Sequence, residues 1–545
     1  MSNRVAHYLQ EHLLGEVVYS SDARSYFSTD GSILRLVPSL IVYPRNENDI
    51  RKILRFTWQL AQKKHFITIT TRGAGTDQTG AAIGSGIVLV LTAHLNRILE
   101  LNSRTGSVII EPGIMFGKLD ETLHTHGRFI PAIPSSSEYS TVGGAVANNA
   151  SGSKITKYGD FNQYIKELRV ILSNGDVINT RRLSKKDLNR KLGLVTYEGE
   201  IYRSIDVLIE DNQDFINRNR LKIKNNFGYN LAAVKDKDGS FDLTPLLIGS
   251  QGTLGVISEI TMNTEMFNPE TFLMVASCDN TINLQNIVDE VRALSAQPSS
   301  MEMINQDLLE DAAKINPNSL KTVASKPFSK FYIFIEYDLM SDRNNKKYIK
   351  KVKKILEKYG HDIKIASEVE DKEKLWKLRD VSSYMLTHNN GLNRSVPIIG
   401  EGAVPYKNVG KLIDGLYDLA KKTNIEPILW GHVGEGIIHL RPRLNIAQVG
   451  DRQKVFRLLE EYNNLIKSLD GTISSEGNDG RLKAPYLDQN LPPELYQIYK
   501  KVKQIFDPYN LLNQGVKFGT SVDDLKNIMR HDYKLEHSYN HLPRN

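Results

Sequence analysis

Two histidines in Trp430-Gly-His-Val-Gly-Glu-Gly-Ile-Ile-His-Leu440 are spaced for metal chemistry. A two-residue turn at Glu435-Gly436 pairs Gly434 with Ile437, Val433 with Ile438 and His432 with His439. Opposed residues on a hairpin have Cβ atoms roughly 5 Å apart, close enough for two imidazoles to converge on one cation. A hairpin whose histidines simply stack and hydrogen-bond fits the same spacing. A third candidate, Glu476, follows a short strand-like run in Gly471-Thr-Ile-Ser-Ser-Glu-Gly-Asn-Asp-Gly-Arg481.

A second kind of chemistry is written in two small-residue loops, Arg72-Gly-Ala-Gly-Thr-Asp-Gln-Thr-Gly80 and Thr141-Val-Gly-Gly-Ala-Val-Ala-Asn-Asn-Ala-Ser-Gly152. Glycine lets backbone N–H groups approach a pyrophosphate, and successive N–H groups in a turn form an anion-binding concavity. The loops read as two walls of a dinucleotide site. Neither is a Walker loop, since no Gly-Lys-Ser/Thr follows, and the Rossmann glycine spacing with its later acidic residue is missing.

These loops need elements to hold them. Phe66-Ile-Thr-Ile-Thr-Thr alternates apolar and polar residues and reads as a strand entering the first loop. From about Leu36 to Thr261, short Val/Ile-rich runs (Ser39–Tyr43, Ile87–Leu91, Ser107–Ile110, Leu168–Leu172) alternate with helical stretches such as Asn48–Ala61. After a polar segment near 263–270, Thr271–Ser277, a helical Leu284–Leu294 and Phe331–Tyr337 begin a second, antiparallel-type unit. The fold class expected is α+β in two large domains.

At 545 residues the chain exceeds what one core usually supports, and its 40% hydrophobic and 24% charged content is ordinary for globular proteins. The net charge of +7 comes from 70 basic against 63 acidic residues, a nearly balanced surface that speaks against a nucleic-acid partner. The most basic stretch, Lys346–Tyr359, puts Tyr348, Ile349, Val352, Ile355, Leu356 and Tyr359 on one helical face. Its lysines form a solvated face or a surface for acidic lipid. One cysteine, Cys278, excludes an intramolecular disulfide and a Cys-based iron–sulfur cluster within this sequence, so electrons leave by another route. With no apolar leader-like segment at Met1 and no run of about 18 apolar residues, the expected location is cytoplasmic, with peripheral contact at the inner membrane as an option.

The loops, together with Glu111-Pro-Gly113, Pro134-Ser-Ser, Tyr158-Gly159 and Gly249-Ser-Gln-Gly-Thr-Leu-Gly255, resemble in order and spacing the PCMH-type FAD domain of vanillyl-alcohol-oxidase-like flavoproteins. The branch they resemble holds the D-lactate, glycolate and D-2-hydroxyglutarate dehydrogenases. The resemblance implies a helical lead-in over 1–35, an FAD-binding domain over 36–265, an FAD-linked oxidase cap domain with an antiparallel sheet over 266–520, and a polar tail over 521–545. It implies FAD contacts at Arg72, Gly73, Gly75, Thr76, Asp77, Gly80, Pro134, Ser135, Thr141, Gly143, Gly144, Asn148, Ser151, Gly152, Tyr158, Gly159, Gly252, Ile257 and Asn513. Asn513 belongs to Ile505–Gly515, similar to the family's closing segment that returns the chain to the flavin; Gln514 stands where the family has proline. Covalent attachment in relatives needs His or Cys in these loops, and Ala74 and Ser153 occupy those neighbourhoods. The FAD is therefore expected to be non-covalent.

The same resemblance makes His432, His439 and Glu476 the ligands of a divalent metal beside the flavin. Such a mixed N/O set with an open position suits Zn²⁺, Mn²⁺ or Fe²⁺. Arg379 matches an arginine that pairs with the substrate carboxylate, for which a guanidinium offers a bidentate fork; a surface helix arginine is the plain alternative. Glu401-Gly-Ala-Val-Pro405 resembles a segment lining the substrate side. The family's histidine after the glutamate, the base for the 2-hydroxyl, is Gly477 here. Water, Glu435 or Asp479 would then take the proton.

The implied reaction is hydride transfer from a small D-2-hydroxy acid to flavin N5, giving a 2-oxo acid and passing electrons to a quinone, cytochrome or electron-transfer flavoprotein. Two alternatives stay open: an FAD-binding protein that has lost this activity, and a metal-independent sugar or alditol oxidase.

Overall fold

The computed structural model describes residues 2–316, 318, 320, 323–324, 326–339, 341–387 and 393–533. Strands Leu40–Tyr43, Ile87–Val90 and Ile69–Arg72 lie side by side in parallel, and the short Glu16–Val18 adds antiparallel outside Leu40–Tyr43. The inner strands are apolar throughout because both faces are covered. On one face, helix Glu47–Gln62, whose first turn is capped by the Asn46 side chain, packs Ile50, Ile53 and Leu54 against Leu40, Val42 and Leu89. On the other, Phe27 covers Ile41, Val88 and Val90.

A five-stranded antiparallel sheet follows, in the order Ile98–Asn102, Ser107–Ile110, Val256–Asn263, Ile165–Ile171, Val177–Thr180. A third sheet of six antiparallel strands runs His361–Ala366, Phe272–Cys278, Phe331–Tyr337, Ser300–Asn305, Leu429–His432, Ile437–Leu440. Helices cover both of its faces, which is why Phe272–Cys278 is buried at every position. Leu284, Val352 and Leu412 pack on one side; Leu308, Leu375 and Leu378 pack on the other. The basic helix Asp342–Tyr359 buries the expected Tyr348, Val352, Ile355 and Leu356. Among the described residues, no helix is long and apolar enough to cross a membrane.

Two expectations about the chain's ends need correction. The lead-in is not purely helical, since Glu16–Val18 joins the first sheet. The described part of the expected polar tail is packed: helix Val522–Ile528 buries Leu525, and Met529 and Tyr533 join the second unit's core beside Ile33 and Leu34. Residues 534–545 of that tail lie outside the described residues. The stretch before it leaves the second unit, in line with a closing segment that returns the chain to the first glycine loop. Helix Pro493–Phe506 places Ile498, Val502 and Phe506 in one core with Ile201 and Ile205 of helix Tyr197–Arg218. The Ile69 amide then donates to Leu511 O at 2.7 Å, and the Asn513 amide donates to Ile69 O at 2.7 Å. The chain thus ends its second unit by pairing with the strand that enters the first glycine loop, and this brings Asn513 beside that loop.

Candidate active site

The hairpin forms in a different register from the one expected. Trp430 faces His439, Gly431 faces Ile438 and His432 faces Ile437. The reason is a longer connection: Val433–Glu435 make one 3-10 turn, and Gly436 at φ 71° closes it. A shift of two residues preserves the alternation of a strand, so both histidines still share one face. Their rings stand 5.9 Å apart and nearly perpendicular, at 85°.

Glu476 completes the group from the loop after Thr472. Its Oε2 lies 3.5 Å from His432 Nε2 and 3.2 Å from His439 Nε2, and one ligand atom from each residue falls within 4.8 Å of the others. That Oε2 is buried without a well-formed hydrogen bond, as an oxygen meant for a cation would be. The neighbouring strand supplies support. Glu302, fully buried on Ser300–Asn305, meets His432 Nδ1 with one oxygen and accepts from Arg379 Nε at 2.8 Å with the other. Holding Nδ1 turns Nε2 toward Glu476, the arrangement in which a carboxylate orients a metal-binding imidazole.

The charges follow from this packing. Burial works against a charged His432, yet the Glu302 and Glu476 carboxylates hold its pKa up to about 10. Burial likewise opposes ionisation of Glu476, but His432 and His439 hold its carboxyl well below the usual range. His439 is pushed down, by burial first and by the His432 charge. A protonated His432 bridging two carboxylates is where a divalent cation fits, with two imidazole nitrogens and one oxygen as donors.

This cluster sits in the wall of a cavity of about 660 Å³, within the ~300–1,000 Å³ range of ligand and cofactor sites. The rest of the wall is the glycine loops. Gly73, Gly75, Thr76 and Asp77 line it from the first loop; Thr141, Gly143, Gly144, Asn148, Ser151 and Gly152 from the second; Pro134, Ser135, Gly252 and Ile257 also line it. The two loops touch: a Cβ on Gly73 would stand 2.2 Å from Thr141 Oγ1, so only glycine permits that approach. Asp77 ties them, accepting from the Thr79 and Ala81 amides at 2.9 and 2.7 Å and from Asn148 Nδ2 at 3.2 Å. Gln251 Nε2 donates to Asn148 Oδ1 at 2.9 Å and adds the third loop.

Residues 38–181 match the model of the FAD binding domain, and residues 268–516 match that of the FAD linked oxidases, C-terminal domain. The chain belongs to the FAD-linked oxidases. It is 27% identical over 512 residues to the glycolate oxidase subunit GlcD of Bacillus subtilis strain 168, covering 92% of each chain. It is 26% identical over 520 residues to the D-2-hydroxyglutarate dehydrogenase of Escherichia coli K12; here 93% of this chain matches 50% of that protein, so this chain spans about half the length of that relative. Among solved structures, 4-ethylphenol oxidase from Gulosibacter chungangensis superposes with a TM-score of 0.69 at 12% identity, covering 96% of this chain and 98% of that one, which is a likeness of fold. The PCMH-type two-domain α+β architecture expected from sequence is the one observed.

In this FAD-linked oxidase, several residues expected to touch FAD stand behind the wall. Arg72 donates from Nη1 to Thr29 O at 2.8 Å and Ala82 O at 3.1 Å, directly beneath Gly75. Gly80 packs on Leu34, and its carbonyl is held by Arg481. Asn513 Nδ2 spans Ala81 O and Gln251 O at 2.8 and 2.7 Å, clamping the first loop to the third. Tyr158 donates to Asp338 Oδ2 at 2.6 Å across the two units, and Gly159 follows it at φ 71°. These five shape the loops and do not line the cavity.

The acid–base expectations change more. Arg379 lines the cavity, but its guanidinium already serves Glu302 and, at 2.5 Å, Ser382 Oγ. Glu435 faces away, 3.2 Å from Arg292 Nη2. Asp479, fully buried, accepts from Lys517 Nζ at 2.8 Å and the Gly228 amide at 3.0 Å. Neither carboxylate lines the cavity, because each is held by a cation behind it.

Gly477 does line the cavity, and its missing side chain has a physical counterpart. A Cβ there would lie 1.9 Å from Glu401 Oε2. The Glu401 carboxylate occupies that space, with Lys483 Nζ at 3.1 Å and Arg441 Nη2 at 3.7 Å. Burial opposes its charge, but Lys483 and Arg441 keep the carboxyl below its usual range. Glu302, Arg441 and Gln78 were not legible as site residues. For Arg441 a signal existed: it follows His439 by two residues, the spacing that keeps strand side chains on one face.

Proposed function

We propose that this FAD-linked oxidase oxidises a small D-2-hydroxy acid to the 2-oxo acid, with a divalent cation at His432, His439 and Glu476. The supporting observation is that these three ligands, with donor atoms within 4.8 Å of one another, stand in the wall of the cavity lined by the FAD loops. When bound, FAD would supply the hydride acceptor, and a cation held by His432, His439 and Glu476 would supply Lewis acidity.

The chain's own residues do the rest. Glu302 fixes the His432 ring, and Arg379 fixes Glu302. The loops, which meet at Gly73 and Thr141 and line the same cavity as the cluster, would hold the dinucleotide. Among the described residues, the lining holds no histidine, cysteine or tyrosine besides His432 and His439, and Cys278 is buried in the core; this supports non-covalent FAD. Electrons then pass to an external acceptor of the quinone, cytochrome or electron-transfer-flavoprotein class.

Anaerobic mixing with D- and L-2-hydroxy acids, followed at the flavin absorbance near ~450 nm, tests this reading. Bleaching by a D-acid that disappears after chelation is expected. Reduction by dithionite but by none of the acids would overturn it in favour of a flavoprotein without this activity. Metal-independent bleaching by a sugar or alditol would identify the oxidase alternative.

A further inference from the structure

Of Arg379, Lys483 and Arg441, one lacks a hydrogen-bonded carboxylate. Arg379 is matched by Glu302 at 2.8 Å, and Lys483 is matched by Glu401 at 3.1 Å. Arg441 lines the same cavity with a side chain only 6% exposed. Its nearest carboxylate oxygen, Glu401 Oε1, is 3.7 Å away, beyond hydrogen-bond range, and belongs to a group already paired with Lys483. Its one short contact, Nη2 to Gln78 Oε1 at 2.5 Å, is to a neutral amide. The Nε and Nη1 donors are buried with no acceptor.

A guanidinium remains protonated under all ordinary conditions, and unpaired charged donors in a buried wall are costly. A site retains such a group when a ligand brings the missing anion. Arg441 follows His439 by two residues on the same chain, so it adjoins the cluster. We infer that Arg441, rather than Arg379, is the specificity-determining residue that takes the carboxylate of the substrate. Gln78 presents the guanidinium from the first FAD loop, and Glu401, filling the space left by Gly477, is paired with Lys483, which does not line the cavity. The inference rests on the 2-hydroxy acid reading and names the group by which such a substrate is recognised.

The probe is 2-hydroxyisobutyrate, which has no α-hydrogen and so binds without being oxidised, compared with its uncharged amide. Both are titrated into the purified FAD-containing protein through the perturbation of the oxidised flavin spectrum. The wild-type protein should prefer the acid by about 100-fold or more, the order expected for a buried charge pair. Arg441→Gln should reduce that preference to a few-fold, and Arg441→Lys should restore most of it, with FAD content and the flavin midpoint potential unchanged in both. An unaltered preference in Arg441→Gln overturns the assignment. So does a collapse in Arg379→Gln alone. A shifted flavin potential with the preference intact overturns it by placing Arg441 on the flavin. An Arg441-dependent preference in a protein whose flavin no D-acid reduces would sustain the assignment and overturn the proposed reaction.

Discussion

One oxygen of Glu302 holds His432 by Nδ1, from a position with no solvent exposure, while its other oxygen accepts from Arg379. The cluster's orientation is therefore set from the strand next to the hairpin. Replacing Glu302 with Gln keeps the volume and removes the charge. Metal affinity should fall about 10–100-fold, the usual effect of losing such a partner, while FAD content stays the same. Metal analysis alongside flavin absorbance reads both at once; equal metal content in variant and wild type would show that the ring is positioned without Glu302.

Gly477 cannot simply be exchanged for histidine. The new Cβ would meet Glu401 Oε2 at 1.9 Å and displace a carboxylate held by Lys483. Gly477→His should destabilise the protein by about 1–3 kcal/mol, the range of an overpacked site, without raising the rate of flavin reduction. A thermal melt reads the stability loss, and anaerobic mixing with the substrate acid reads the rate. A faster single variant of unchanged stability would mean that Glu401 moves aside freely.

Asp479 is held in a buried ion pair. It and Lys517 are both fully buried, and Lys517 Nζ also donates to Asn478 Oδ1 at 2.7 Å. Asp479→Ala leaves that ammonium buried without its counter-ion and should cost about 3–5 kcal/mol of stability. Flavin reduction per folded, FAD-loaded molecule should be unchanged. A rate loss in protein of wild-type stability would return Asp479 to the chemistry.

What was legible in the sequence was whatever depends on local spacing. The Phe331–Tyr337 strand is where periodicity put it, and the strand entering the first glycine loop forms over Ile69–Arg72, the later part of the expected run and one residue beyond it. The glycine loops were recognisable because close approach admits few residue types, as Gly73 against Thr141 shows. The hairpin register was missed because turn length decides it, and the Val433–Glu435 turn has no strong two-residue signature. Glu435 and Asp479 were misread because a carboxylate's role depends on partners distant in sequence, Arg292 and Lys517. Glu302 reaches the site through pairing across the sheet, which no local pattern reports; Gln78 lies in the recognised first loop, but its partner Arg441 is distant in sequence.

Glu435 gives the pH dependence. Burial pushes its carboxyl up to about 7, against the opposing pull of Arg292. The folded state therefore holds this proton more tightly than the unfolded chain, whose glutamate titrates near ~4.3. The favourable contribution is complete below that lower value and is lost as pH rises toward about 7, beyond which it stays lost. Glu435→Gln removes the titration. The melting temperature of the variant minus that of wild type should become more positive between pH 5 and pH 8, whatever its absolute sign. A difference that stays flat across that window would mean Glu435 is ionised throughout, with Arg292 outweighing burial.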